Sequence, residues 1–212
     1  MCWNAAVSLN TFLFSSFVLA LIIYNNSFTK YKIQELNSLW IYILLATVIS
    51  IQLLEFFIWR NINNKYNNLF STLAFILLYM QPIASIMIIT NNQIRNILLF
   101  SYMIFAIPYI IYKLFTHKIT SVKSVNGHLT WKFNISNIII IGWLFFFLFS
   151  FFYERLWTIL IFSLITLIII YINYVKYNTV GSIWCWFVNS IMIYYAGYLL
   201  FYLPFLEKRN IC

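Results

Sequence analysis

The chain has 212 residues, of which 64% are hydrophobic and 8% are charged. A typical soluble domain holds about 45–50% apolar and about 25% charged residues, so this composition excludes a water-soluble fold. The net charge of +9 is scattered between apolar stretches without a basic run, which argues against nucleic acid as a partner. Because Lys and Arg near helix ends suit phospholipid headgroups, the sequence predicts a lipid bilayer as the partner instead.

Apolar stretches of about 17–25 residues are long enough to cross the hydrocarbon core of a bilayer as helices. The sequence therefore predicts an all-α, polytopic transmembrane helical bundle with seven helices, in a single transmembrane domain of residues 1–212. Only Tyr153, Glu154 and Arg155 separate the fifth span from the sixth. If they do not form a tight turn, the number of spans falls to six. The predicted spans are 5–24, 38–59, 68–90, 96–114, 135–153, 155–174 and 182–204.

The Lys and Arg residues of the loops divide almost evenly between the two sides of the membrane. The six on the side opposite the N-terminus are Lys30, Lys32, Arg95, Arg155, Lys208 and Arg209. The seven on the N-terminal side are Arg60, Lys65, Lys113, Lys118, Lys123, Lys132 and Lys176. Since positive loops face the cytoplasm, this split gives only a slight preference for an N-terminus inside.

Glu55 is the only carboxylate within a predicted span. Burying its charge costs about 2.5–3.5 kcal/mol on insertion scales, so the group needs compensation. Gln52 and Trp59 lie about one turn before and after it, on the same helix face. A protonated Glu55 bonded to Gln52 is one prediction, with Trp59 as a wall of a proton or cation site. The alternative is a purely structural Glu55 that is neutral or reaches Arg60.

Polar residues also occur in the third and seventh predicted spans. Gln81 precedes Pro82, which removes a backbone donor and frees a carbonyl, so the third span has either a kink that opens a polar cavity or a packed kink. The seventh span carries Trp184, Cys185, Trp186 and Asn189. Its polar groups need partners in lipid, so it should face the bundle interior, with Gln81 and Asn189 as polar lining and Trp186 as a wall.

Cys2, Cys185, His128 and Glu55 have side chains that bind zinc or copper, and the predicted topology puts them on one side of the membrane. No local ligand spacing supports a metal site, so metal is a secondary alternative and no cofactor is expected. A retinal Schiff base is excluded because the seventh span contains no Lys. Cys2 is alternatively a nucleophile.

Several short motifs together resemble a family of uncharacterised multi-pass membrane proteins of giant DNA viruses with bacterial relatives. The resemblance spans most of the chain and implies a seven-helix fold in a virion or host-cell membrane, without an activity. The motifs are Met1-Cys2-Trp3-Asn4, Val7-Ser8, the face of Gln52, Glu55 and Trp59, Gln81-Pro82, His128 to Trp131, and Trp184-Cys185-Trp186.

The sequence is consistent with three functions. The leading hypothesis is a non-enzymatic protein that binds or conducts a small solute or proton through a polar pocket on the N-terminal side. The second is a membrane enzyme that uses Cys2, Glu55 and His128 with a metal, or as nucleophile and base. The third is a structural component of a viral membrane. Transport predicts an aqueous cavity that reaches Glu55, whereas the structural role predicts dry packing.

Overall fold

A computed structural model describes residues 4–206 of the chain. This part folds into a bundle of α-helices with one small β-hairpin between the fourth and fifth helices. The helices are α1 Ala5–Phe28, α2 Leu39–Arg60, α3 Tyr66–Ile86, α4 Asn92–Thr116, α5 Asn137–Tyr153, α6 Trp157–Tyr174, α7 Val180–Asn189 and α8 Ile191–Gly197. The strands are β1 Thr120–Lys123 and β2 Leu129–Lys132.

The predicted spans agree with these helices, and the all-α bundle is confirmed. Helix α8 continues α7 and runs into a π-helical turn at Tyr198–Tyr202, so the seventh apolar stretch forms one unit over Val180–Leu206. Six helical units are long and apolar enough to cross a membrane. The remaining helix, α5, is apolar but has 17 residues. The protein is thus of the integral membrane class, as its composition predicted.

The tight turn predicted between the fifth and sixth spans is present. Helix α5 ends at Tyr153 and α6 begins at Trp157, and Arg155 has a left-handed backbone with φ of 57°. The Glu154 carboxylate accepts hydrogen bonds from the Thr90 amide at 2.7 Å and the Thr90 hydroxyl at 2.9 Å. The carboxylate of the turn is therefore held at the loop that connects α3 to α4.

Helices α2 and α3 form the centre of the bundle, because α1 packs on α2 while α4 and α5 pack on α3. Helix α7 closes the group by contacting α1, α2 and α6. Successive helices alternate in direction. The N-terminal ends of α1, α3, α5 and α7 therefore lie at the same end of the bundle as the C-terminal ends of α2, α4 and α6. We call this the N-terminal end.

The segment predicted as the longest loop, 115–134, contains the β-hairpin. Its turn includes Gly127 with φ of +83°, a conformation that glycine adopts without strain. The Asn67 side chain of α3 accepts from the Ser121 amide and donates to the Ser121 carbonyl, both at 2.9 Å. On the other strand, the Ser182 hydroxyl of α7 donates to the Leu129 carbonyl at 2.6 Å. The hairpin is therefore fixed across the N-terminal end of the bundle.

Candidate functional site

The inward face predicted for α2 is present, but one predicted contact is not. Gln52 and Glu55 have 0% exposure, and Trp59 is half-buried. Neither amide atom of Gln52 has a hydrogen-bond partner within residues 4–206. The predicted hydrogen bond between Gln52 and Glu55 is therefore wrong. Both side chains face inward without being paired to each other.

Hydrogen bonds between helices show which polar residues share the depth of Gln52. The Asn26 amide of α1 donates to the Tyr42 hydroxyl of the antiparallel α2 at 2.9 Å. Ser15 lies eleven residues before Asn26 and Gln52 lies ten residues after Tyr42, so the two reach a similar depth. Each residue of a helix advances about 1.5 Å, so the difference of one residue is small.

The same reasoning places Asn189 of α7 at this depth. The Trp186 indole of α7 donates to the Thr11 hydroxyl of α1 at 2.8 Å, and the two helices run in the same direction. Ser15 lies four residues after Thr11, and Asn189 lies three residues after Trp186. Ser15, Gln52 and Asn189, which are 1%, 0% and 2% exposed, therefore lie at a similar depth on three helices that pack on one another.

Two further buried groups lie toward the N-terminal end from this depth. Glu55 follows Gln52 by one turn and is close enough to the Cys185 thiol of α7 for an electrostatic interaction. Ser8 lies about two turns before Ser15 on α1 and has 0% exposure. We define the inner polar cluster as the buried polar side chains at and near this depth on α1, α2 and α7, namely Ser8, Ser15, Gln52, Glu55, Cys185 and Asn189.

The inner polar cluster concentrates buried polar atoms that have no hydrogen-bond partner within residues 4–206. They are the hydroxyls of Ser8 and Ser15, both amide atoms of Gln52, and the amide oxygen of Asn189. A helical serine usually bonds to the carbonyl one turn earlier, as Ser50 does with Ala46 at 2.7 Å. Such orphaned groups are few in native proteins and point to bound water, an ion or another polar guest.

The other polar groups of α7 bind neighbouring elements, as expected for an inward-facing helix. The Trp184 indole donates to the Ser163 carbonyl of α6 at 3.2 Å. Trp186, predicted as a wall, is half-buried and reaches α1 through the bond to Thr11. The indole nitrogen of Trp59, the other predicted wall, is buried without a partner in the described chain. The two tryptophans thus differ, since only Trp186 joins two helices.

Gln81, which was predicted as polar lining of the pocket, lies at another depth than Glu55. The rings of Phe57 on α2 and Phe70 on α3 stack with centroids 5.0 Å apart. These antiparallel helices therefore bring Gln81, eleven residues after Phe70, level with residue 46 of α2. That level is nine residues from Glu55, or about 14 Å along the helix. No sequence pattern gives this depth, because it depends on how α2 and α3 pack.

Pro82 lies inside α3, and two carbonyls of the preceding turn bond to neighbouring helices, which agrees with the packed alternative of the two predictions. Proline lacks an N–H group and leaves the carbonyl four residues earlier, that of Leu78, without its helical donor. The Trp143 indole of α5 donates to this carbonyl at 2.9 Å. The Tyr102 hydroxyl of α4 donates to the neighbouring Tyr79 carbonyl at 2.8 Å. These two bonds therefore join the proline-containing turn of α3 to α4 and α5.

His128 lies in the hairpin, directly before β2, at the N-terminal end. Its ring is 6% exposed and meets the Tyr174 ring edge-to-face at 5.5 Å. Burial lowers the pKa of His128 below its ordinary value. Within residues 4–206, no three His, Cys, Asp or Glu side chains are grouped as a metal site. His128, Cys185 and Glu55 thus do not form one by themselves, and Cys2 lies outside the described residues.

The clefts on the surface of the described chain include one near the end of α4 and one between α1 and α2. One of about 480 Å³ lies between α3 and the segment from the end of α4 to Ile119. The other, of about 220 Å³, lies between α1 and α2. Neither is lined by Glu55, Gln52 or Asn189. The aqueous cavity that transport predicts is neither of these clefts, so access to the inner polar cluster does not begin in them.

No protein family model, no curated protein and no solved structure matches this chain. The description of the fold and of the inner polar cluster therefore depends on the structure alone. The resemblance to membrane proteins of giant viruses, and the virion or host-cell membrane that it implies, stays a prediction.

Proposed function

We propose that this protein crosses the membrane seven times and binds or conducts a proton or a small polar solute at the inner polar cluster. One observation carries the proposal, namely the orphaned polar atoms of Ser8, Ser15, Gln52 and Asn189 on three neighbouring helices. Each unsatisfied polar group in a membrane interior costs several kcal/mol. A bound guest that both donates and accepts hydrogen bonds removes this cost.

The residues of the cluster have distinct roles in this proposal. Glu55 is the titrating group, because it is the carboxylate that lies inside the bundle. Gln52 offers both a donor and an acceptor, the serines offer hydroxyls, and the Asn189 oxygen accepts. This mixture suits water that carries a proton to Glu55, or a neutral solute of similar hydrogen-bonding character. It does not suit an apolar ligand, which leaves every one of these atoms unpaired.

A crossing of the membrane by α5 determines at which end of the bundle each carboxylate lies. Its 17 residues are at the lower limit for a span. It packs on α3 and α6, which are both long enough to cross. With α5 crossing, Glu154 and Glu35 lie at the opposite end of the bundle from the hairpin. Glu55 is then the described carboxylate nearest the N-terminal end.

Proton flux into liposomes that contain a trapped pH-sensitive dye tests the proposal. With a potassium gradient and valinomycin as the driving force, we expect the wild type to accelerate flux over empty liposomes. Glu55→Gln should abolish the acceleration. Glu154→Gln is the matched control, because it neutralises a half-buried carboxylate at the other end while keeping an oxygen that accepts from Thr90. In the same samples, infrared difference spectra between acid and alkaline pH should show a buried carboxyl band that Glu55→Gln removes.

Gln52→Leu distinguishes a hydrated cluster from dry structural packing. In a dry cluster, removing an orphaned amide raises stability, because the cost of its desolvation disappears. In a hydrated cluster, the substitution interrupts hydrogen bonding and lowers flux without this gain. The proposal is overturned if wild-type flux equals that of empty liposomes and the infrared carboxyl band does not depend on Glu55. Stabilisation by Gln52→Leu with unchanged flux counts equally against it.

A further inference from the structure

We propose that the cleft between α3 and the end of α4 binds the phosphate headgroup of an anionic phospholipid at the N-terminal end. This inference is independent of the function proposed for the inner polar cluster. It rests on the lining of the cleft, on the exposed apolar residues beside its polar ones, and on the distribution of charge over the two ends of the bundle.

The floor and walls of the cleft are polar. Asn68 and Thr72 line it from α3, and Thr116, His117 and Lys118 line it where the chain leaves α4. The Asn68 amide donates to the Ile119 carbonyl at 2.8 Å, which fixes the two walls relative to each other. The Lys118 ammonium, the Thr72 hydroxyl and the His117 ring can each donate a hydrogen bond to a phosphate oxygen.

The rim of the cleft is apolar and faces outward. Leu114 and Phe115, which also line the cleft, are 40% and 87% exposed. They occupy the last turn of α4, at the depth where a membrane helix meets the headgroups. A polar floor beside an outward apolar rim matches a phospholipid, whose headgroup and acyl chains are joined at this depth. A free phosphate ion has no apolar part to contact the rim.

Charge at the N-terminal end also favours an anion. Seven Lys and Arg residues of the described chain belong to this end. Of the three carboxylates in the described chain, Glu35 and Glu154 lie at the opposite end of the bundle. The third, Glu55, is buried in the inner polar cluster. No exposed carboxylate within residues 4–206 therefore balances Lys118. Basic pockets beside transmembrane helices bind the headgroups of anionic lipids for this reason.

The size of the cleft is compatible with one headgroup. Its volume of about 480 Å³ lies within the range of about 300–1,000 Å³ typical of small-molecule sites. A single site of this size predicts one tightly retained lipid. Diffuse attraction to the whole basic end predicts many weakly retained ones.

Native mass spectrometry of the full chain in neutral detergent, titrated with phosphatidylglycerol or phosphatidylcholine, tests the inference. We expect one phosphatidylglycerol to be retained in preference to phosphatidylcholine. Lys118→Gln should weaken its binding by about fivefold, the factor expected for one basic side chain at a membrane surface. Lys123→Gln is the matched control, because this exposed lysine belongs to the hairpin and does not line the cleft. Thr72→Val, which keeps the side-chain shape, should also weaken binding.

Three outcomes overturn the inference. Equal retention of the two lipids removes the role of charge. Equal weakening by Lys118→Gln and Lys123→Gln shows diffuse attraction rather than a site. Competition by millimolar inorganic phosphate that displaces the lipid completely identifies a soluble anion as the ligand, because a lipid held also by Leu114 and Phe115 resists such displacement.

Discussion

The bond between Trp143 and Leu78 gives a quantitative test of how this bundle is held together. Trp143→Phe removes the indole N–H that donates at 2.9 Å to the carbonyl freed by Pro82. Hydrogen bonds between membrane helices are worth about 0.6 kcal/mol on average and about 1.7 kcal/mol at most. Trp143 is 7% exposed, so the smaller ring also leaves a cavity that costs about 1–2 kcal/mol. We expect a total loss of about 2–3 kcal/mol.

A double-mutant cycle with Pro82→Ala separates the hydrogen bond from the cavity. Alanine at position 82 restores an N–H group that donates to the Leu78 carbonyl within α3. In that background Trp143→Phe no longer strands a buried carbonyl, and only the cavity cost remains. We therefore expect a coupling energy of about 1 kcal/mol between the two substitutions. The measurement is the free energy of unfolding in mixed micelles, followed by circular dichroism during titration with sodium dodecyl sulfate.

Trp186→Phe is the matched control for this cycle. It removes an indole donor of the same kind, but its acceptor is the Thr11 hydroxyl of α1, which Pro82 does not affect. Its cost should be the same with proline or alanine at position 82. Coupling below about 0.3 kcal/mol for Trp143→Phe is within the range of additive effects and refutes the reasoning. Equal coupling for both tryptophans refutes it as well, because it points to a general change of α3.

Two further predictions concern the β-hairpin. Asn67→Ala should lower the free energy of unfolding by about 2–3 kcal/mol and expose 117–136 to protease, because both the Ser121 amide and the Ser121 carbonyl lose their partner. The control is Asn64→Ala, at an exposed position, and an equal effect of this substitution contradicts the prediction. Burial lowers the folded-state pKa of His128, so the unfolded chain binds the proton more readily and stability falls as pH drops below about 6.5. His128→Gln should flatten this pH dependence of the unfolding free energy, and an unchanged slope in His128→Gln rules the explanation out.

The helices were predictable because length and composition determine them in a membrane protein. Apart from the division of the seventh span into α7, α8 and a π-helical turn, the differences lie at helix ends, as in α1, which continues to Phe28 where the sequence predicted residue 24. The added turn contains Asn26, a polar residue that normally favours a helix end. It remains helical because its side chain accepts from the Ile33 amide at 2.8 Å and donates to Tyr42 at 2.9 Å. Those partners come from later parts of the chain, which the local pattern of α1 does not contain.

The hairpin was missed although its sequence carries a recognisable signal. Asn126-Gly127 is a typical turn dipeptide between two strands, and it lies between Thr120–Lys123 and Leu129–Lys132. Each strand has only four residues, and an isolated two-stranded hairpin is marginally stable. Its stability here comes from Asn67 and Ser182, which belong to helices on either side. A strand that depends on distant side chains is not visible in its own residues.

The sequence predicted which face of α2 carries the candidate site, but not at which depth the polar residues of the other helices lie. The spacing of Gln52, Glu55 and Trp59 gave the inward face of α2, since helical periodicity is local. Ser8 and Ser15 were missed because a serine in an apolar helix usually bonds its own backbone. Their importance follows only from the packing of α1 against α2 and α7. The same packing excludes Gln81, which shares the chemistry of Gln52 but lies at the level of residue 46.

The hairpin and the inner polar cluster are joined through the first turns of α7. Ser182 bonds the Leu129 carbonyl of the hairpin, and Cys185, one turn further along α7, lies within electrostatic range of Glu55. Because a helix turn is rigid, a displacement of the hairpin is passed to the cluster over about 5 Å. Asn67 holds the opposite strand and makes no contact with the cluster in its hydrogen bonds. At equal amounts of folded protein, a change of proton flux in Asn67→Ala therefore reports on this mechanical link, whereas a change in Gln52→Leu reports on the cluster itself.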